Sequence, residues 1–342
     1  MIESIHFTNF KALRDATLPL SPCTVIVGPN GSGKSTVLQA LEAFSGTRQY
    51  KFEDVISASL RNDENARHVK VSLRWGEQYV EVGPELTEPE LLWERGKEES
   101  RIRNKPDTAG LPYVKPLIER FRVYSLDANA IAAPIASTTV FELAPDGAGL
   151  AGVLTGLRDQ EPERFHALEE EMGRWLPEFD AILFEANAKV DGKQGRILQL
   201  RTRDRQHKIA AHDVSQGTLL ALAMLTLPYL PEPPLLIGLE EPDRGIHPRL
   251  LRRVQDAMYR LSHPESCGET RDPVQIIATT HSPYFLDLFK DHPEEIVIAN
   301  KTGPDVQFER LSDQPHIQEM LGDASLGEIW YSGILGGVPS NS

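Results

Sequence analysis

Gly28-Pro29-Asn30-Gly31-Ser32-Gly33-Lys34-Ser35 stands between the β-branched run Thr24–Val27 and a segment whose apolar residues Val37, Leu38, Leu41 and Phe44 share one helical face. The stretch fits G-x-x-x-x-G-K-[ST] in the strand–loop–helix context that the motif needs. Its glycines let backbone N–H groups curl around a polyphosphate, and the N-terminus of the following helix faces the negative charge. Asn30, Gly31, Ser32, Gly33, Lys34, Ser35 and Thr36 are therefore the candidate nucleotide contacts. Lys34 is placed to reach the β- and γ-phosphates and the Ser35 hydroxyl to bind Mg²⁺. A nucleoside triphosphate with Mg²⁺ is the expected ligand, and the motif alone does not separate kinases, GTPases and motor ATPases.

Three downstream segments narrow the chemistry. Leu235–Leu239 reads as a buried strand and ends in Glu240-Glu241-Pro242. Open α/β sheets place ligand chemistry at the carboxyl ends of their strands. Glu240 is thus the candidate metal ligand beside Ser35, and Glu241 the candidate for orienting or deprotonating an attacking water. Val274–Thr280 is a second β-rich run, leading into His281-Ser282-Pro283. Ser282 and Pro283 read as helix N-cap and first turn, which sets His281 at a strand-to-helix junction as a candidate γ-phosphate contact. Asp213-Val214-Ser215-Gln216-Gly217-Thr218 precedes the apolar stretch Leu219–Leu227 and reads as another capped helix start. Alone, Ser-x-Gly at that position is an ordinary cap.

The whole chain has 342 residues, with 36 basic and 50 acidic side chains and a net charge of −14. That length suits about two domains, or one with a large insertion. With 40% apolar and 25% charged residues it has the composition of a globular protein with an ample core. The acidity argues against a surface that coats nucleic acid throughout. Cys23 and Cys267 are too few and too distant for a disulfide framework or a cysteine zinc site. No apolar h-region follows Met1, and no apolar run approaches the length of a membrane span, so a cytoplasmic protein without membrane contact is expected.

In order, the P-loop, Ser215-Gln216-Gly217-Thr218, Glu240-Glu241-Pro242 and Thr279-Thr280-His281-Ser282-Pro283 resemble the ABC-type ATPase head of the SMC/RecF/OLD-like superfamily. Phe7-Thr8-Asn9-Phe10-Lys11 and Gly245-Ile246-His247-Pro248 add to the likeness, which is specific over residues 1–45 and 210–290. The resemblance implies an α/β fold: a P-loop ABC-type head with a mainly parallel sheet, a β-lobe and a globular α+β insertion. It implies ATP hydrolysis, with Glu241, Lys34 and His281 as catalytic residues and Ser35 and Glu240 on the metal. It further implies that Ser215 and Gly217 contact ATP bound to a second copy in a head-to-tail dimer, and that Lys11 and Arg14 stand where such heads carry a basic residue near the nucleotide. Two departures are visible. Glu240 replaces the usual aspartate, as is common in OLD-like ATPases, and the signature differs from the Ser-Gly-Gly-Gln of transporters. The family's Q-loop glutamine has no clear counterpart: Tyr124–Pro134 contains none, and Gln78 lies in an apparent hairpin.

The expected division is an N-terminal head part over 1–45, a β-lobe and insertion over 46–209, a C-terminal head part over 210–300 and a tail over 301–342. The insertion lacks sustained heptads and is broken by prolines, so it reads as globular rather than as a coiled coil. Within it, His68–Trp75 and Gln78–Val82 read as a hairpin, Glu94–Arg103 as a charged loop, and Glu161–Leu176 as an amphipathic helix with Phe165, Leu168, Met172 and Trp175 facing a core. Lys189, Lys193, Arg196, Arg201, Arg203 and Arg205 form a basic stretch. If it is extended, the last three project from one strand face and can meet DNA phosphates; a solvated face or a protein contact is the plainer alternative. Ile296–Ala299 and Val306–Leu311 are expected as final strands, and the residues after His281 are too few for the nuclease domain of full-length OLD nucleases. The function expected is an ATPase that dimerises on ATP and controls a separately encoded effector, such as a nuclease in antiphage defence; a RecF-like ATPase acting directly on DNA is the alternative.

Overall fold

The computed structural model describes residues 1–61, 63, 67–75, 89–95, 101–104, 116–136, 142–190, 192–315, 317, 322 and 325–336, without the side chains of 89, 101–104, 187, 188 and 193. The chain divides into two compact units: residues 1–123, 234–241 and 272–342 form the first, and 124–233 with 242–271 the second. In chain order the strands are β1 (Ile2–Phe10), β2 (Leu13–Pro19), β3 (Cys23–Val27), β4 (His68–Trp75), β5 (Pro89–Glu94), β6 (Arg101–Asn104) and β7 (Phe121–Tyr124). They continue with β8 (Ile135–Ala136), β9 (Phe179–Val190), β10 (Lys193–Thr202), β11 (Lys208–Ala210), β12 (Leu236–Glu240), β13 (Gln275–Thr280), β14 (Ile296–Thr302) and β15 (Asp305–Arg310).

The first unit holds two sheets. One has the order β15-β14-β3-β13-β12-β7. β3 pairs parallel with both β13 and β14, β13 pairs parallel with β12, and β15 returns antiparallel at one edge. The mainly parallel sheet expected from sequence is present. β3 and β13 are buried at every position, which is why they read as unbroken apolar and β-branched runs. The helix Lys34–Ser45 carries Val37, Leu38, Leu41 and Phe44 into the core. The other sheet runs β2-β1-β4-β5-β6 and is antiparallel at every pairing.

One sequence expectation is described only in part and another changes. β4 occupies His68–Trp75 as read, but its partners are β1 and β5, while Gln78–Val82 lies outside the described residues. Glu94–Arg103 is not simply a loop: Glu94 ends β5, and Arg101–Arg103 belong to β6, with Leu91 opposite Ile102. The density of charge in that segment hides two strand ends.

The second unit combines the antiparallel strands β8–β11 with four longer helices, Leu150–Gln160, Pro162–Trp175, Gln216–Thr226 and Pro248–Ser262. Phe165, Leu168, Met172 and Trp175 are buried, as the amphipathic pattern predicts. Gln216–Thr226 is buried from Thr218 to its end, the environment of a helix apolar all round. Among the described residues no helix is long and apolar enough to cross a membrane.

Candidate functional site

At the carboxyl ends of β3, β12 and β13 an open cleft of about 250 Å³ is lined by Ala12, Asn30, Gly31, Gly33, Lys34, Ser35, Thr36, Glu241, Thr279 and His281. All of these belong to the first unit. Sheet topology explains the gathering: parallel strands from distant parts of the sequence end at the same edge, each followed by a loop that carries one functional group.

Gly33 caps the P-loop helix with φ 86°, and a Cβ there would lie 2.6 Å from Leu13 Cδ2. Both the left-handed backbone and the close approach of β2 require glycine. Lys34 is only 6% exposed. Its Nζ donates to the carbonyls of Gly28 (2.8 Å) and Pro29 (2.9 Å), so the loop's own backbone satisfies the ammonium. Burial pulls the Lys34 pKa down to about 8, against the opposing pull of the Glu241 carboxylate.

The Ser35 hydroxyl donates to Glu240 Oε1 at 2.7 Å. A hydroxyl and a carboxylate in contact at the cleft are hard oxygen donors of the kind Mg²⁺ selects. Among the described residues, no cluster of three or more His, Cys, Asp or Glu could hold a metal without further ligands. The donor set therefore fits an ion that takes most of its remaining ligands from phosphates and water, and Ser35 with Glu240 would hold it. Such an ion supplies charge neutralisation on a phosphoryl group.

Glu241 follows the last residue of β12 with φ 45°, a left-handed conformation that costs a non-glycine residue about 1–2 kcal/mol. Its N–H donates to Thr279 O (3.1 Å) and Thr279 Oγ1 (3.3 Å), which pins the turn to the neighbouring strand. Its carboxylate lies 3.8 Å from His281 Nε2. Burial and the Lys34 charge lower the His281 pKa, outweighing Glu241, so the imidazole is neutral near pH 7. Ser282 caps the next helix by accepting from Phe285 N at 3.2 Å, fixing where His281 leaves β13. Together these groups can do what phosphoryl transfer requires: a cation for the phosphates, a carboxylate for a water, and a neutral imidazole able to donate one hydrogen bond.

Other candidates fall elsewhere. Lys11 sits in the β1–β2 turn at φ 51°, where Nζ donates to Gln39 Oε1 (2.8 Å) and lies 4.5 Å from the Tyr50 ring centroid; its neighbour Ala12, not Lys11, lines the cleft. Arg14 faces Asp305 at 3.7 Å. Ser215 and Gly217 belong to the second unit. Ser215 caps Gln216–Thr226 by accepting from Thr218 N (3.2 Å), and a Cβ on Gly217 would lie 2.7 Å from the Gly245 carbonyl oxygen. Capping and packing thus account for both residue types locally.

The basic stretch needs correction. Arg201, Arg203 and Arg205 do not share a strand face, because β10 ends at Thr202 and Arg205 turns at φ 60°. Arg201 clamps Asp180 with two hydrogen bonds (2.7 and 3.2 Å), and Arg205 joins the same carboxylate at 3.3 Å, holding it below the usual carboxylate range. Arg203 donates to the carbonyls of Pro177 (2.6 Å) and Gly173 (3.1 Å), the latter in the last turn of Pro162–Trp175. Arg196 stands 3.9 Å from Asp159, Lys189 is exposed on β9, and Lys193 opens β10. Sequence reasoning missed Ala12 and Thr279. Thr279 stands beside Glu240 only through the register of β12 with β13, which the sequence of a fully buried strand does not reveal.

Comparison with known proteins agrees with this architecture. The family described as "AAA domain, putative AbiEii toxin, Type IV TA system" matches residues 73–287, and an AAA ATPase domain matches residues 1–90. The OLD nuclease of Thermus scotoductus is 30% identical over 92 residues, a match spanning 25% of this chain and 17% of that nuclease. An Smc head bound to the C-winged helix domain of ScpA superposes with a TM-score of 0.61 at 16% identity, covering 93% of this chain and 99% of that one. The Smc head domain with an extended coiled coil bound to the C-terminal domain of ScpA, derived from Pyrococcus furiosus, gives 0.61 at 14% identity over 94% and 99%. The SMC head domain from Thermotoga maritima gives 0.50 at 15% over 90% and 98%. At these identities the structural likeness speaks for the fold.

Proposed function

The chain belongs to the AAA-domain family that matches residues 73–287, as an ATPase of the SMC/RecF/OLD-like superfamily, and on that premise we propose that it is an ATP-driven switch controlling a separate effector. ATP with Mg²⁺ binds at the P-loop of the head, whose parts lie in 1–45 and 210–300, and Ser35 with Glu240 holds the ion. Lys34 neutralises phosphate charge, Glu241 orients and deprotonates the water, and His281 donates to the γ-phosphate. Two copies close head to tail, each offering its Ser215–Gly217 helix start to the other's nucleotide, and hydrolysis reopens them.

One observation carries the hydrolytic reading: Glu241 is held in a strained left-handed turn with its carboxylate at the P-loop cleft, 3.8 Å from a neutral His281. Strain of this kind is kept where the side chain has work that glycine could not do. Support for effector control comes from relatives. A head of this fold is seen with a bound domain of ScpA, a sequence relative is a nuclease, and the family's description names a toxin of a toxin–antitoxin system. That favours one component of a prokaryotic defence system. The engagement of Arg201, Arg203 and Arg205 within their own unit makes direct DNA binding through that stretch the weaker reading.

Glu241→Gln tests the proposal. Removal of a general base is expected to cut turnover by about 10²–10⁴-fold while ATP binding persists. With ATP and Mg²⁺ this variant should elute at twice the monomer mass by light scattering, and tagged in its native cell it should retain a stoichiometric second protein. An ATP-indifferent monomer would overturn the switch, and a dimer carrying only nucleic acid would overturn effector control in favour of repair.

A further inference from the structure

β14 runs beside β3 in parallel, with Ile298 opposite Val27, the residue before the P-loop. The two segments touch where the loop begins: a Cβ on Gly28 would lie 2.6 Å from the Ala299 carbonyl oxygen and 3.0 Å from Ala299 Cβ. Side chains two apart on a strand share a face, so Lys301 follows Ala299 on the side turned toward the loop. Its long stem carries the charge past the sheet edge to the loop's tip, where a Cβ on Gly31 would be 3.7 Å from Lys301 Nζ. Among the described residues no carboxylate or carbonyl engages that ammonium, in contrast to Lys70 with Glu90 and Lys290 with the Gly322 carbonyl.

We propose that Lys301 is a nucleotide-binding residue, its ammonium contacting the polyphosphate of a nucleoside di- or triphosphate held by the P-loop. The inference rests on the P-loop reading and adds to it a cation that no motif assigns. The P-loop motif supplies one lysine, and Lys34 spends its hydrogen bonds on the carbonyls of Gly28 and Pro29. A bound polyphosphate brings several negative charges into an open, partly solvated cleft. An ammonium that no described carboxylate or carbonyl engages, lying beside Gly31, is drawn to them, because opposite charges that close attract strongly even at intermediate dielectric. Lys301 therefore acts on binding and orientation of the phosphate chain, from the strand opposite to those that supply Glu241 and His281.

The test measures equilibrium binding of a fluorescent ATP analogue to the full chain, wild type and four variants, at low ionic strength. Lys34→Ala checks the P-loop: loss of binding supports it, and wild-type affinity there would overturn both readings. With the P-loop upheld, Lys301→Gln should weaken ATP binding about tenfold, Lys301→Glu more, and Lys301→Arg should restore it. The deficit should shrink as salt is raised through 0.5 M, where screening is short-ranged, and should nearly vanish for adenosine. Inorganic triphosphate should displace the analogue less well from Lys301→Gln than from wild type. Lys301 is exposed, so the variants are expected to melt with the wild type. Wild-type affinity in Lys301→Gln and Lys301→Glu, beside a dead Lys34→Ala, would overturn the Lys301 proposal alone.

Discussion

Nucleotide affinity should depend on pH through Lys34, and the size of the effect follows from its surroundings. The side chain is 6% exposed, its ammonium rests on two loop carbonyls, and burial holds its pKa at about 8. A polyphosphate selects the protonated form and raises that pKa in the complex, so apparent affinity falls as pH rises through 8. Between pH 7 and 9 the protonated fraction drops about tenfold, equivalent to about 1.4 kcal/mol of binding free energy. The window is clean, because phosphates are ionised above pH 7.5 and His281, whose pKa is lowered, is already neutral. Isothermal titration of ADP and of ATP at constant ionic strength, in buffers of different ionisation enthalpy, reads both quantities. We expect a tenfold weaker constant at pH 9 than at pH 7 and uptake of about half a proton per nucleotide at pH 8. Lys34→Arg keeps its charge throughout and should show neither effect. For folding the sign is opposite. The folded chain binds fewer protons at Lys34 than the unfolded chain between pH 8 and 10.5, so this residue's destabilising contribution, about 3 kcal/mol below pH 8, disappears as pH rises through that window. Flat affinity from pH 7 to 9 with no proton uptake would refute the reasoning.

Two further variants separate chemistry from scaffolding. His281→Ala should lower single-turnover hydrolysis by about 10²–10³-fold, the loss typical of one transition-state donor, while ATP affinity changes only a few-fold; an unchanged rate would remove His281 from the reaction. Gly217→Ala should cost about 1–3 kcal/mol in denaturant unfolding, because the new methyl would sit 2.7 Å from the Gly245 carbonyl oxygen; unaltered stability would show that this packing yields more easily than the geometry implies.

Local punctuation was legible because it is local. A β-branched run, a glycine-rich loop and a helix with one apolar face need no distant partner to be read, and β3, the P-loop and Lys34–Ser45 occupy the positions expected. Assembly is a different matter. β3 lies between β13 and β14, strands from the far end of the chain, and fully buried strands carry no alternation that would name their neighbours. For that reason Lys301 could not be placed near Gly31 from sequence, although it stands only three residues beyond the register partner of Val27. Arg201, Arg203 and Arg205 misled for a related reason: alternation resembles a strand, but Asp204 forms a turn by accepting from Gln206 N at 3.0 Å. Asp180, which gathers two of the arginines, sits on the neighbouring strand and becomes their partner only once β9 and β10 pair.

The adjacent acids Glu240 and Glu241 pose a geometric problem that the backbone resolves. Successive side chains on a strand point to opposite faces, so β12 continued straight would deliver one carboxylate to the cleft and turn the other away. The chain instead leaves β12 through Glu241 at φ 45°, and Thr279 of the neighbouring strand accepts the Glu241 N–H to hold it there. Glu240 then meets Ser35 while Glu241 lines the same cleft beside His281. Glycine would adopt this turn without strain but would bring no carboxylate. A cost of about 1–2 kcal/mol is a sizeable part of the net stability of a folded domain. It is tolerable because β12 is buried between two strands and its register with β13 runs unbroken to Glu240–Thr279. The strain therefore sits at the end of a buried strand flanked on both sides, which is also where a water has to be held at a fixed distance from a phosphorus atom for in-line attack.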